Sequence, residues 1–294
     1  ATLMTDPFPD GKDNDGTTEA MFIFNGRTDN QAHIRITRTE DYGRFLLDKE
    51  GKSGLSLGYA DTYIDIDSND PALPPRMFDI SMSLGMNVGQ VGDWLVQIVG
   101  GAGYAGTRPF KDGSAVYGKG DLILTTRLDD QSALRVILNY DGNRSSWPDL
   151  PLPSIAYTRR ASETLVYTVG MPFSSVQWEP VDRLTLQLYY VFPYNGSVKA
   201  TYRFADELAV YAALKTSLDQ VYIDDASNKR RIFYRQRTVE IGAVWTPYEW
   251  VDVLVAFGYA FDRQFERGWD VRNLGSTVDL SDEPFVRVGA MLSF

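Results

Sequence analysis

The chain has 294 residues, a net charge of −10, no cysteine, and 17 Tyr, 15 Phe and 6 Trp. The acidic balance argues against a nucleic-acid partner, which needs a basic face, and the absence of cysteine excludes a disulfide framework and a thiolate metal site. A transmembrane helix is excluded too: the nearest apolar stretch, WLVQIVGGAGYAG at 94–106, is short, Gly-rich and interrupted by Gln97.

The chain opens on Ala1, which fits a mature exported chain with its signal peptide removed. Next comes DPFPDGKDNDG at 6–16. Asp13, Asp15 and Gly16 match the late part of a calcium loop, but the first ligand position falls on Gly11 and the twelfth on Phe22, so it fails as an EF-hand. Residues 1–17 are expected to be a flexible acidic leader, and 18–294 a single domain.

From residue 18 onward, alternation at period 2 dominates and helical periodicity is nearly absent. Strands are expected at 18–26, 31–48, 54–66, 76–88, 93–106, 115–128, 132–140, 152–159, 163–170, 173–178, 183–191, 197–204, 207–222, 231–245, 250–266 and 284–294. In 250–262, Val251, Val253, Val255, Phe257, Tyr259 and Phe261 share one face, opposite Asp252, Leu254, Ala256, Gly258, Ala260 and Asp262. The connections alternate in length. Short ones fall near 49–53, 89–92, 129–131, 160–162, 179–181, 205–206 and 246–249. Longer polar ones fall at 67–75, 107–114, 141–150, 224–230 and 267–283, while those near 171–173 and 192–196 are short and break the rule.

Short turns at one rim and long loops at the other predict an all-β fold: a transmembrane antiparallel up-and-down β-barrel of about 16 strands. Counts of 12 or 14 are also admissible, because the pieces flanking Pro172 are short and the 31–48 run is long enough to divide. Trp94, Trp178, Trp245 and Trp250 all flank short turns, as an interfacial aromatic girdle would, whereas Trp147 and Trp269 fall in long loops on the other side.

Charged residues recur opposite the apolar stripes. The basic ones are Arg35, Arg127, Arg135, Arg183, Lys199, Arg203, Lys215 and Arg287; the acidic ones are Asp79, Asp121, Asp219, Glu240, Asp252 and Asp262. Facing lipid at mid-depth would cost roughly 2–4 kcal/mol for each Arg or Lys, so this face is expected to line the lumen.

The chain ends in VRVGAMLSF, inside an alternating run. This stretch resembles the C-terminal signal of bacterial outer-membrane β-barrel proteins: Arg287, then Gly289, then apolar Leu292, then the terminal aromatic Phe294. The resemblance implies that the barrel-assembly machinery reads this strand and that it closes against the first. The part from about Pro172 onward, with MPFSSVQWEPVDRLTLQLYYVFPYNGSVKATYRFADELAVYAAL and FGYAFDRQFERG, also resembles an uncharacterised family of bacterial outer-membrane barrels, which implies no activity.

Little catalytic chemistry is visible. His33 is the only histidine, and no motif ties it to a serine or an acid, so no enzyme, metal or cofactor is expected. The expected role is a porin-like channel of the bacterial outer membrane for small polar solutes or ions, since sixteen strands enclose more space than side chains fill. The alternatives are a non-enzymatic barrel anchoring a partner complex, an outer-membrane hydrolase, and a soluble all-β binding protein. Expected partners are outer-membrane lipid and, during biogenesis, the assembly machinery; a homo-oligomer or an envelope protein partner is compatible.

Overall fold

The structure, a computed structural model, describes residues 14–48, 53–111, 113–223 and 230–293. The expected signal residue Phe294 and most of the acidic leader lie outside the described residues.

Among the described residues the alternating runs form seventeen strands. In chain order they are β1 (Asp15–Ile23), β2 (Ile34–Leu46), β3 (Ser56–Ser68), β4 (Arg76–Val91), β5 (Trp94–Gly106), β6 (Val116–Arg127), β7 (Ser132–Asp141), β8 (Leu152–Ser162), β9 (Leu165–Met171), β10 (Phe173–Val181), β11 (Leu184–Val191), β12 (Asn195–Ala205), β13 (Leu208–Tyr222), β14 (Arg231–Tyr248), β15 (Val251–Gly268), β16 (Leu274–Leu280) and β17 (Glu283–Ser293). Sixteen of them form a closed antiparallel wall. β1 pairs with β2 on one side and with β17 on the other, Glu19 lying opposite Gly289. β17 returns to β15. Closure leaves the wall no free edge, a requirement for strands in lipid. β1 starts at Asp15, so the last three residues assigned to the leader are already paired, with Arg44–Tyr42 and Ser293–Met291.

β16 is not part of the wall. It falls in the 267–283 stretch read as a loop and pairs with the upper end of β15, Arg263 opposite Leu280. It exists because β14 and β15 run for 18 residues each, far beyond a membrane-spanning length. The wall is uneven: β9 has seven residues and β11 eight, so the outer rim is low there and high at β13–β15.

Leu84, Leu138, Leu188, Ile241, Phe257 and Val288 project outward and are exposed around the barrel. Trp94, Trp178, Trp245 and Trp250 stand at the short-turn end, with Trp250 stacked on Tyr248 at 5.7 Å. At the opposite end Tyr63, Phe78, Tyr104 and Phe110 form an aromatic cluster, Phe78 lying 6.4 Å from Tyr63 and 5.8 Å from Phe110. An apolar belt between two aromatic edges is the surface a bilayer requires. The fold is that of an outer-membrane β-barrel.

The lumen is divided. β12 begins only at Asn195, so the upper end of β13 has no wall neighbour on that side. It crosses the barrel, and Tyr222 bridges Gly106 of β5 in parallel. Ser217, Leu218, Val221 and Tyr222 are buried as a result.

On one side of this divide, between β13 and β5 by way of β17 and β1, the inner space is filled. Its outer part is an apolar core including Ile23, Ile34, Ile36, Ile64, Met77, Tyr234 and Phe265. Its inner part is ionic. Arg38 Nη2 lies 2.9 Å from Asp219 and also meets Glu40, while Lys215 Nζ stands 3.3 Å from Glu40. Arg287 lies 3.0 Å from Glu19 and 3.1 Å from Glu240. Gly289 leaves room for Glu19: a Cβ there would fall 2.9 Å from its Cγ.

Candidate functional site

On the other side of the divide the filling is partial: inward Ile123, Ile137, Ala156 and Phe173 are buried in a second, smaller apolar cluster with Val99 and Val191, while space remains above it and along β10–β12. The register sets the inward residues: Tyr117, Lys119 and Asp121 on β6, facing Asp141 and Asn139 of β7; Gln177 on β10 opposite Gln187 on β11; Lys199 on β12 opposite Gln187. On β10–β12 both faces are accessible. Apolar Val176, Leu188 and Val198 are exposed outward, and polar Gln177 and Gln187 inward. Inward side chains on β14, such as Gln236 and Thr238, are only 3% and 2% exposed.

A cap covers part of the outer mouth. The chain between β7 and β8 folds over the lumen and is held from several sides. Tyr222 Oη donates to Gly142 O at 2.8 Å, Gln220 Nε2 to Asn143 O at 2.7 Å, and Arg231 to Arg144 O at 2.8 Å and Trp269 O at 2.7 Å. The Val271 N–H donates to Ser145 O at 3.0 Å, and that of Trp147 to Asp270 at 3.4 Å. Asp270 also binds the Arg272 guanidinium and its backbone N–H. Burial alone would raise the Asp270 carboxyl, but these donors outweigh it and hold it below the usual carboxylate range.

Between the cap and the low wall of β9–β12 lies a cavity of about 680 Å³. Its polar end holds Asp79, Asp121, Asn139 and Asn143; its apolar end holds Phe173, Phe192 and Trp147. Tyr117 Oη donates to Asp79 at 2.6 Å, Asn143 Nδ2 to Asp79 at 3.0 Å, and Asn139 Nδ2 to Asp121 at 2.6 Å.

No family model matches the chain, and no curated protein matches it; the finer likeness of 172–294 draws nothing from either comparison. Solved structures do align over nearly the whole chain. The Pseudomonas putida toluene transporter TodX is 10% identical, covering 97% of this chain and 90% of its own, with a TM-score of 0.42. An outer membrane channel from Pseudomonas putida is 7% identical over 99% and 100%, at 0.39. The beta domain of the Bordetella autotransporter BrkA is 11% identical over 96% and 99%, at 0.34.

The expected lumen residues divide into groups. Lys215, Asp219, Glu240 and Arg287 stand in the ionic fill of the packed half. Asp252 points inward near the short-turn rim and accepts from Thr246. Asp79, Asp121, Arg127, Arg135, Lys199 and Arg203 face the open half, Lys199 lying 4.5 Å above the Tyr211 ring. Arg183 stands in the short turn before β11 and donates to Phe204 O at 3.1 Å.

Two residues face outward, against expectation. Arg35 lies opposite Asp67, 4.0 Å away, with Ile34 and Ile36 buried inside. At this height water is outside and a packed core inside, so the polarity of the two faces is reversed. Asp262 sits at a bulge with φ of 49°, where β15 carries one more residue than β14, and pairs outward with Arg237 at 3.2 Å. The extra residue switches the inward parity to Arg263 and Phe265.

Of the residues expected to form an assembly signal, Arg287 and Gly289 face the lumen and Leu292 faces outward. His33 is exposed near the outer rim and bridges Arg27 through the backbone. Sequence reasoning missed Tyr117, Asn143, Gln220 and the aromatic end of the cavity. The inward parity of Tyr117 with Asp121 was readable along β6; Asn143 lies in a loop, where alternation carries no information.

Proposed function

We propose that this barrel is a passive, non-enzymatic channel of the bacterial outer membrane for small polar solutes, and that its path runs through one half of the lumen only. The observation that carries this reading is the accessibility of the inward polar face of β10–β12, against the filled space behind β13. Below the cavity, Arg127, Lys199 and Arg203 face this path with Glu179 near the short-turn rim, so the deeper wall is mainly basic and favours anions. Solutes enter between the cap and the low wall at Pro172 and Pro193.

Single-channel recording of the folded protein in a planar bilayer tests this. Steady ohmic openings with an anion-selective reversal potential are expected. Silence from protein shown to be folded and inserted would contradict the channel and favour an anchoring role.

A further inference from the structure

The polar end of the cavity is a built acceptor site. Asp79 takes its hydrogen bonds from neutral donors, Tyr117 at 2.6 Å and Asn143 at 3.0 Å. Asn143 is only 3% exposed, and its Oδ1 is buried with no hydrogen-bond partner. Gln220 Oε1 is in the same condition, and both residues line the cavity. Neither oxygen has accessible surface as it stands, so a ligand N–H reaches it only as the amide turns toward the cavity, a turn favoured by the cost of a buried acceptor without a donor.

Two basic groups stand nearby, Lys119 on the cavity wall within electrostatic reach of Asp79, and Arg144. Lys119 Nζ reaches Ser81 Oγ at 3.4 Å, and the Arg144 guanidinium donates to the carbonyls of Asn139, Trp147 and Leu150 and to Asn139 Oδ1. A carboxylate beside two amide oxygens calls for a ligand that is positive and rich in N–H donors, and a primary ammonium has three. Phe173, Phe192 and Tyr189 offer apolar area for the rest of the molecule.

We propose that this cavity binds a small arylalkylamine, its ammonium group at Asp79, Asn143 and Gln220 and its ring against Phe173, Phe192 and Tyr189. The inference rests on the reading that this half of the lumen is open. Because Arg127, Lys199 and Arg203 stand below, the amine lodges at the mouth and obstructs the channel instead of crossing it.

The test uses phenethylamine, with 2-phenylethanol and phenylacetate as neutral and anionic comparators. Titration calorimetry on the folded barrel is expected to detect phenethylamine and neither comparator. Asp79→Asn is expected to weaken binding about tenfold or more through loss of a charge-assisted contact. Gln220→Met, which removes an acceptor and also the bond to Asn143 O in the cap without changing charge, weakens it less. Tyr189→Ala weakens phenethylamine binding more than methylamine binding. In a bilayer, phenethylamine added at the long-loop side reduces the current.

Should Asp79→Asn fail to fold, Tyr189→Ala decides the matter by the ratio of phenethylamine to methylamine binding. Absence of binding at millimolar amine, equal binding of 2-phenylethanol, or binding unchanged in all variants would overturn the proposal. A channel that conducts in plain salt but neither binds nor is blocked by the amine would defeat the site and leave the channel standing. Binding to a silent barrel would do the reverse.

Discussion

Tyr222, the last residue of β13, bridges Gly106, the last residue of β5, across the barrel. This contact makes one lumen into two spaces, one filled by an apolar core and an ionic network, the other holding a smaller apolar cluster beside the accessible wall of β10–β12. Tyr222 also carries the cap through Gly142 O and lies under the Arg231 guanidinium at 5.6 Å. Truncation to Ala should cost about 3–5 kcal/mol, as for a buried aromatic. The urea midpoint of the folded barrel should fall, and protease cleavage between β7 and β8 should rise. Unchanged cleavage would mean that Tyr222 does not hold the cap.

The cap should loosen in acid. The Asp270 carboxyl is held below its usual range, so its contribution is complete above the unfolded value of about 4 and is lost as pH falls through the lowered one. Pepsin cleavage within 142–151 should therefore increase as the pH is lowered below about 4. In Asp270→Asn it should be high already and nearly flat with pH. A parental pH profile in that variant would place the switch elsewhere.

Arg287 has a structural duty separate from any assembly signal. It is 6% exposed and pairs with Glu19 and Glu240. Arg287→Met leaves two inward carboxylates without it, at about 3–5 kcal/mol. Its urea midpoint after unassisted refolding in detergent should drop. Parental stability in detergent with poor assembly in cells would confine the residue to signalling.

Asp41 and Asp61 stand opposite one another on β2 and β3. Strand alternation from inward Glu40 and Thr62 points both outward, one step below Tyr63 in the outer aromatic edge. A carboxylate on the lipid face is destabilising. Asp61→Asn should raise stability in vesicles by on the order of 1 kcal/mol. A loss of stability would show that the pair is not in contact with lipid.

Much of the wall was legible. The sixteen expected strands correspond one to one with the wall strands, because lipid outside and water inside impose a period that no other environment imposes so long. Two of the errors share one origin. Above the membrane the environment inverts, so Arg35 lies outside and Ile34 inside, and β16 forms where a loop was expected. The bulge at Asp262 shifts parity by one residue, which no alternation rule anticipates. The divide itself was not readable: Tyr222 and Gly106 meet only because β12 is short enough to release the end of β13, a consequence of tertiary geometry.

The central claim is that solutes pass β10–β12 and not the space behind β13. The chain has no cysteine, so single cysteines report without background. Gln187→Cys places a thiol on the accessible wall, and Thr238→Cys places one in the filled half, where Thr238 is 2% exposed. During bilayer recording, a small charged thiol reagent should change the current through Gln187→Cys within minutes and leave Thr238→Cys untouched. A response from Thr238→Cys, with none from Gln187→Cys, would contradict the divided lumen.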